Sequence, residues 1–421
     1  MIHIFLNGLA ASSGAGLTYL YNVVPKVSNS SGVRTTLAVQ PWLRQKFEGL
    51  QNVQLISPSG LSGAIERFLF EQRRLPELIR HSGANILIST GNFALRRSPV
   101  PQILLSGNSL YTSSVFYRDL RSRREYGMMI GTFARGIFAK RSIHWADQAI
   151  APSQAFADEL RRWTKREIAV IHHGFDADIF FGGHKPLSEQ INKKLRETEG
   201  CLRLLFVSHY NYYRNFETLF RAMPLIQQLL PKKRVKLILT CKLQRTTNPG
   251  SYDPRQAAKL VRDLGIADSV VEMGAVPYES LHHLYRACDI YVSPAYAETF
   301  AHPLVEAMAS GLPVVASDLP IHREVCCEAA TYFPRFSCEC LADAVANIAG
   351  SLQEHSRLPA GRERVINFDW EEHVRHLLCR AAAMDRAKDG PLEDDKASYV
   401  THLPGERFLE AAKGTEYVPN T

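Results

Sequence analysis

Residues 293 to 318 read SPAYAETFAHPLVEAMASGLPVVASD. A buried strand leads in, DIYVSP from Asp289 to Pro294, and another leads out, PVVAS from Pro313 to Ser317. Between them Pro303 suits the first position of a helix. A strand–loop–helix–strand unit sets its loop at the carboxyl edge of a parallel sheet, where open α/β proteins bind ligands. Two carboxylates, Glu298 and Glu306, bracket the helix start. Backbone amides from Thr299 to Leu304 lack intrahelical partners, and with the positive helix end they suit a diphosphate. A carboxylate accepts two hydroxyl hydrogen bonds and so can grip a diol. A ligand rich in hydroxyls and phosphate, such as a nucleotide sugar, meets both conditions. On this stretch alone a plainer alternative stays open: Glu306 favours the helix dipole and Glu298 is solvated.

The same rhythm runs along the whole chain. Strand patterns fall at Ile2–Leu6, Arg34–Val39, Val53–Ile56, Asn85–Ser89, Gln102–Leu105, Gln148–Ala151 and Ile168–His172. A second set falls at Arg203–Val207, Val235–Thr240, Ser269–Met273, Asp289–Ser293, Pro313–Ser317 and Ala330–Phe333, with helical patterns between. Short apolar strands alternating with helices predict an α/β chain of doubly wound parallel sheets. At 421 residues the chain exceeds one ordinary core, so two Rossmann-like domains facing a cleft are expected, over 1–180 and 200–367. The polar stretch 176–200 reads as the join. A helix over 370–385 is expected to pack back on the first domain. Residues 386–421, polar and weakly periodic, read as a loosely ordered tail.

An apolar content of 45% with 22% charged residues is that of a soluble globular protein. No run approaches the ~18 apolar residues of a membrane helix. The N-terminus reads as a strand rather than a signal peptide, which suggests a cytoplasmic protein. The excess positive charge lies in the first 180 residues, where 21 Lys+Arg face 12 Asp+Glu. That half should face phosphate or an anionic lipid surface; no nucleic-acid signature accompanies it. All eight cysteines follow residue 200, and the cluster Cys326, Cys327, Cys338, Cys340 matches no common zinc spacing. Buried free thiols and no metal are expected.

Three further motifs carry chemistry. The glycine turn Ser12-Ser13-Gly14-Ala15-Gly16-Leu17 follows strand one and would let backbone approach a phosphate or sugar. A dinucleotide fingerprint would need glycine at Tyr19 and an acid after Val39, so nicotinamide and flavin are not expected. FVSHYNYYRN, residues 206 to 215, leaves the first strand of the second half, with Arg214 at a helix start where it could clamp a phosphate. VIHHGFD, residues 170 to 176, ends the first half. Its adjacent histidines point to opposite faces and do not make a two-ligand metal site.

Taken in order, these elements and the Phe368-Asp369-Trp370 opening of the last helix resemble the retaining glycosyltransferases of the GT-B fold, glycosyltransferase family four. The resemblance spans roughly residues 1 to 385. It implies a nucleotide-sugar donor, UDP- or GDP-linked, held mainly by the second domain, with an acceptor on the first and no metal or other cofactor required. By resemblance Glu306 would hold the ribose hydroxyls and Glu298 those of the donor sugar. Arg214 would stabilise the diphosphate with the amides of Phe300, Ala301, His302 and Leu304, while Gly14 and Gly16 let the first-domain loop approach it. The chain departs from the family in three places. His209 stands where a second basic residue is usual and supplies a charge only if its pKa, ordinarily ~6.5, is raised. Ala301 replaces a common glycine. Asn108, in Ser106-Gly107-Asn108-Ser109, stands near where many members carry a histidine close to the donor sugar.

The resemblance thus implies transfer of a sugar to a hydroxyl of a saccharide or lipid-linked acceptor in cell-surface polysaccharide or glycolipid assembly. A nucleotide-sugar epimerase on the same fold, or a non-catalytic binding protein, are the competing readings. Between Arg118 and Arg141 seven Lys/Arg mix with Tyr126, Met128, Met129, Ile130, Phe133, Ile137 and Phe138. Such a helix either packs its stripe on its own sheet or lies on an anionic membrane. Many members of the family act at the inner leaflet.

Overall fold

The computed structural model describes residues 1 to 386 apart from 13, 62, 249, 251 and 353–356. The tail expected beyond residue 386 therefore lies outside the described residues. Seven strands form one sheet: β1 (Ile2–Asn7), β2 (Val33–Ala38), β3 (Val53–Ile56), β4 (Ile86–Ser89), β5 (Gln102–Leu105), β6 (Gln148–Ala151) and β7 (Ala169–Val170). Six form the other: β8 (Leu202–Phe206), β9 (Val235–Leu239), β10 (Val270–Glu272), β11 (Ile290–Ser293), β12 (Val314–Ser317) and β13 (Ala330–Phe333). Their orders are β3-β2-β1-β4-β5-β6-β7 and β10-β9-β8-β11-β12-β13, with every neighbouring pair parallel. Strands such as β4 (ILIS) and β12 (VVAS) are buried throughout, because helices cover both faces of each sheet. Strand order reverses at β1/β4 and at β8/β11, and a crevice opens at such points.

The helix Trp370–Arg386 sends Trp370, Val374, Leu377 and Ala381 into the core of the first sheet, among Ile4, Val23 and Ile88. Its entry is tight. A methyl group on Gly174 would stand 2.3 Å from the Trp370 nitrogen and 2.6 Å from its ring. Gly174→Ala should therefore cost about 1–3 kcal/mol, read as a lower midpoint in urea unfolding.

Two expectations need correction. The 176–200 stretch is not bare linker: it forms helices Ala177–Gly182 and Glu189–Arg196, whose Phe180, Ile191 and Leu195 are buried in the core of the second sheet. Their apolar residues are few but correctly spaced, and composition alone masked them. The cysteines are all unpaired as expected, yet only Cys241, Cys288 and Cys326 are buried, while Cys340 and Cys379 are exposed.

The sheets meet along two seams. In one, the helix Ser114–Ser122 places Phe116 and Leu120 in the core of the second sheet. Arg123 bridges Asp119 at 2.7 Å and Glu217 at 2.9 Å, its guanidinium 4.3 Å over the Tyr212 ring. Tyr296 donates to Asp119 at 2.6 Å and Tyr212 to Glu125 at 2.8 Å. In the other seam, Glu324 of the second domain caps a helix of the first. Its two carboxylate oxygens accept from the amides of Gln154 and Ala155, each at 2.7 Å, and one also meets His172 Nε2 at 2.8 Å. Glu324→Ala would leave the Gln154 and Ala155 amides without this acceptor, while Ser153 Oγ still caps the Phe156 amide. We expect a loss of about 1–2 kcal/mol, seen as a lower melting temperature.

Candidate active site

A cleft of about 1070 Å³ separates the sheets, lined from both at their carboxyl edges. From the first domain come Gly14, Gly16, Ser106, Gly107, Pro152 and His173. From the second come Val207, Arg214, Glu298, Ala301, His302 and Glu306. Seven of the residues singled out from the sequence thus share one cavity, although they span positions 14 to 306.

Each is placed by local chemistry. Gly14 precedes the helix Ala15–Ser28 with φ 54° and ψ −136°, a conformation open essentially to glycine. Arg214 ends a short turn and is followed by buried Asn215, itself left-handed at φ 55°. Asn215 donates to the Pro294 carbonyl at 3.0 Å and accepts from Thr218 at 2.9 Å. That bridge fixes the arginine against the end of β11, and Arg214 forms an ion pair with Glu298. Both are largely buried, so the pair is poorly screened.

Glu306 lies in the helix His302–Ala309 at 5% exposure. Tyr285 donates to its Oε2 at 2.8 Å, and Tyr278 also hydrogen-bonds the carboxylate. Burial nevertheless pushes its pKa up to about 7, opposed by the two tyrosines and assisted by Asp176. The loop before it is constrained. Ala301 is left-handed at φ 63°, a strain of roughly 1 kcal/mol for a residue with a β-carbon. The Leu304 amide already donates to the Ala301 carbonyl at 2.9 Å, and neither Leu304 nor Phe300 lines the cleft.

The Phe300 ring instead joins an aromatic hub with His173, His302 and Phe368, at centroid distances of 4.9–5.5 Å. Burial, then the charge of Arg214, drives His302 down to about pKa 4, so it is neutral near pH 7. Its Nε2 is shut off from water without a hydrogen bond. Tyr19 donates to or accepts from His373 Nε2 at 2.9 Å beneath this hub.

Two expected site residues stand apart. His209 is off the cleft lining, and burial followed by Arg214 lowers its pKa, so it adds no second positive charge. The Asn108 carboxamide oxygen accepts from Leu110 N at 3.0 Å, capping a short turn; it is the neighbouring Ser106 and Gly107 that reach the cleft. Asn215, Tyr278, Tyr285 and His173 were not predicted as site residues. The Arg-Asn pair before a helix was a readable signal for the first. The tyrosines lie over 20 residues from Glu306 and gave none. Among the described residues no group of three or more His, Cys, Asp or Glu could hold a metal ion.

Residues 188–355 match the family model described as Glycosyl transferases group 1. D-inositol 3-phosphate glycosyltransferase 2 of Catenulispora acidiphila is 31% identical over 191 residues, 44% of this chain and 43% of that protein. An uncharacterized glycosyltransferase of Methanocaldococcus jannaschii is 35% identical over 179 residues, 41% of this chain and 42% of that protein. The matches thus span about two-fifths of these curated relatives. In three dimensions the chain is similar to sucrose-phosphate synthase from Thermosynechococcus elongatus (TM-score 0.70, 20% identity, 92% of this chain and 100% of that one). It is also similar to Anabaena HepE in complex with UDP-glucose (TM-score 0.68, 16% identity, 91% and 100%). Over residues 188–355 the second domain is thus similar to the group 1 glycosyl transferases, and the two parallel-sheet domains have the GT-B architecture.

Proposed function

We propose that this protein moves a sugar from a nucleoside-diphosphate donor, UDP- or GDP-linked, to a hydroxyl of a saccharide or lipid-linked acceptor, with retention and without a metal. The observation that carries this reading is Glu306. A carboxylate buried in a helix, oriented by two tyrosines and raised to about pKa 7, is a burden on the fold. It makes sense as an acceptor aimed at a ligand diol. Glu298 then grips the donor sugar, and Arg214 receives the charge of the leaving diphosphate. The bond from the anomeric carbon to the phosphate oxygen breaks, and the acceptor oxygen bonds to the same face. The acceptor proton passes to the leaving phosphate oxygen, so no separate base is needed. Gly14 and Gly16, at the start of the helix Ala15–Ser28, leave room for the diphosphate on the first-domain side.

Curated relatives named for transfer to inositol 3-phosphate, and a solved neighbour holding UDP-glucose, support a nucleotide sugar as donor. We place the protein on the cytoplasmic side, in cell-surface polysaccharide or glycolipid assembly; among the described residues no helix is long and apolar enough to cross a membrane. Incubating the chain with UDP- and GDP-sugars and following the anomeric proton by NMR tests the reading. Product in the donor's own anomeric configuration, unaffected by chelator, is expected. Inversion at C2 of the nucleotide sugar with no acceptor present would assign an epimerase instead.

A further inference from the structure

The first-domain wall of the cleft is built for more than a neutral sugar. The helix Ala64–Arg73 and the helix Tyr126–Trp145 present Arg67 and Arg135 to it. Both charges act on the hydroxyl of Tyr111, which lines the same wall. Arg67 Nε is closed off from solvent yet carries no hydrogen bond. Glu71, which feels the Arg67 charge, is itself buried and hydrogen-bonded from Asn7 at 3.1 Å. Neither guanidinium forms an ion pair among the described residues, although the Arg67 charge acts on the Glu71 carboxyl and Arg135 Nε donates to the Gly131 carbonyl at 3.1 Å. Beside them the wall is apolar: Ile65, Phe68, Leu69 and Phe138 line it, with the Phe68 and Phe138 rings 5.4 Å apart.

This trough does not end at the cleft. Phe138 is 42% exposed, and Ile130 at 65% and Phe133 at 61% continue the same helix outward; Ile65, on the cleft wall, is 77% exposed. A helix packing this stripe on its own sheet would have buried it. The surrounding charge is one-sided. Asp119 is taken by Arg123 and Tyr296, and Glu125 by Tyr212, all turned inward. Arg118, Arg121, Arg124 and Arg141 are exposed, and none forms an ion pair among the described residues. An apolar face ringed by free arginines and continuous with a cationic pocket matches an anionic lipid surface.

We propose that the acceptor is a phosphate-bearing lipid drawn from an anionic membrane, its phosphate held by Arg67 and Arg135 and its chain along the Ile65–Phe68–Phe138 trough. This rests on the transferase reading and narrows its acceptor. The face of Ile130 and Phe133 rests on the bilayer while the hydroxyl to be glycosylated reaches toward Glu298.

Decyl phosphate, decanol and inorganic phosphate, titrated separately into the full chain by calorimetry, test the pocket. Decyl phosphate should bind about tenfold or more tighter than either fragment, since only it fills both halves. Arg67→Ala and Arg135→Ala should each weaken it about tenfold, leaving affinity for UDP or GDP unchanged. In co-sedimentation, vesicles of equimolar phosphatidylglycerol and phosphatidylcholine should retain the protein, and salt should release it. Ile130→Ser combined with Phe133→Ser should abolish retention at unchanged melting temperature, because both positions are exposed.

Inorganic phosphate binding as tightly as decyl phosphate would overturn the lipid acceptor in favour of a soluble phosphorylated one. Indifference to these vesicles, with dimerisation through the Ile130–Phe133 face, would overturn it in favour of a second copy. A chain that binds nucleotide but not decyl phosphate sinks this inference alone, whereas one that binds no nucleotide sinks the transferase reading.

Discussion

Glu306→Gln should make the protein more stable at pH 8 and deprive it of its nucleotide. The carboxyl titrates at about 7 in the fold against 4.5 in a solvated chain. Below pH 4.5 both states are protonated and the group contributes no difference. Between there and about 7 the unfolded chain releases its proton while the folded one keeps it, so stability falls as pH rises. The full loss is roughly 3 kcal/mol by linkage. An amide removes that penalty but presents an NH₂ where the ligand diol needs an acceptor. The melting temperature of the variant should exceed that of the parent at pH 8 and match it near pH 5. Nucleotide affinity of the parent should weaken below pH 7 as Glu306 protonates, and that dependence should vanish in the variant. Equal melting temperatures at pH 8 would mean the carboxylate is not under strain.

Arg214→Ala should cost about 10²–10³-fold in kcat, the usual loss when one donor to a developing oxyanion is removed. KM for the donor should change far less, because the guanidinium is needed most when the phosphate leaves. Stability should fall too, since Glu298 would be left buried without its ion-pair partner. Arg214→Lys separates these effects. It keeps the charge beside Glu298 and restores stability, but a point charge cannot fork two phosphate oxygens, so kcat should stay well below the parent. If kcat of the alanine variant held within twofold of the parent, roughly, Arg214 would have no part in the chemistry.

The chain made its fold legible because the signal is repeated. Among the described residues thirteen short apolar strands alternate with amphipathic helices, and neither β4 nor β12 could sit in a half-exposed sheet. The lining of the cleft was legible where it is a local motif: Gly14 and Gly16 at one turn, Arg214 at another, Glu298 and Glu306 around one helix start. It was illegible where tertiary contact sets it. Nothing in the spacing of Tyr278, Tyr285 and Asp176 says that they meet at Glu306 and tune its proton affinity. Asn108 shows the opposite failure. Its side chain suits a donor-sugar contact by position, but a short polar residue before a turn readily caps it, and here it does. The basic stripe after Arg118 allowed burial or exposure. The answer depended on whether the neighbouring helix Ala64–Arg73 covered Ile130 and Phe133, and it leaves both uncovered.

The central claim is that this cleft holds a nucleoside-diphosphate sugar through Glu306. Calorimetric titration of UDP, GDP and ADP, each with its sugars, into the parent and Glu306→Gln chains at pH 8 tests it most directly. One nucleotide family should bind the parent, and the variant should bind it about tenfold or more weakly, as when a hydrogen-bonded charged acceptor is lost. If no nucleotide binds the parent, or the variant binds equally well, the account is wrong.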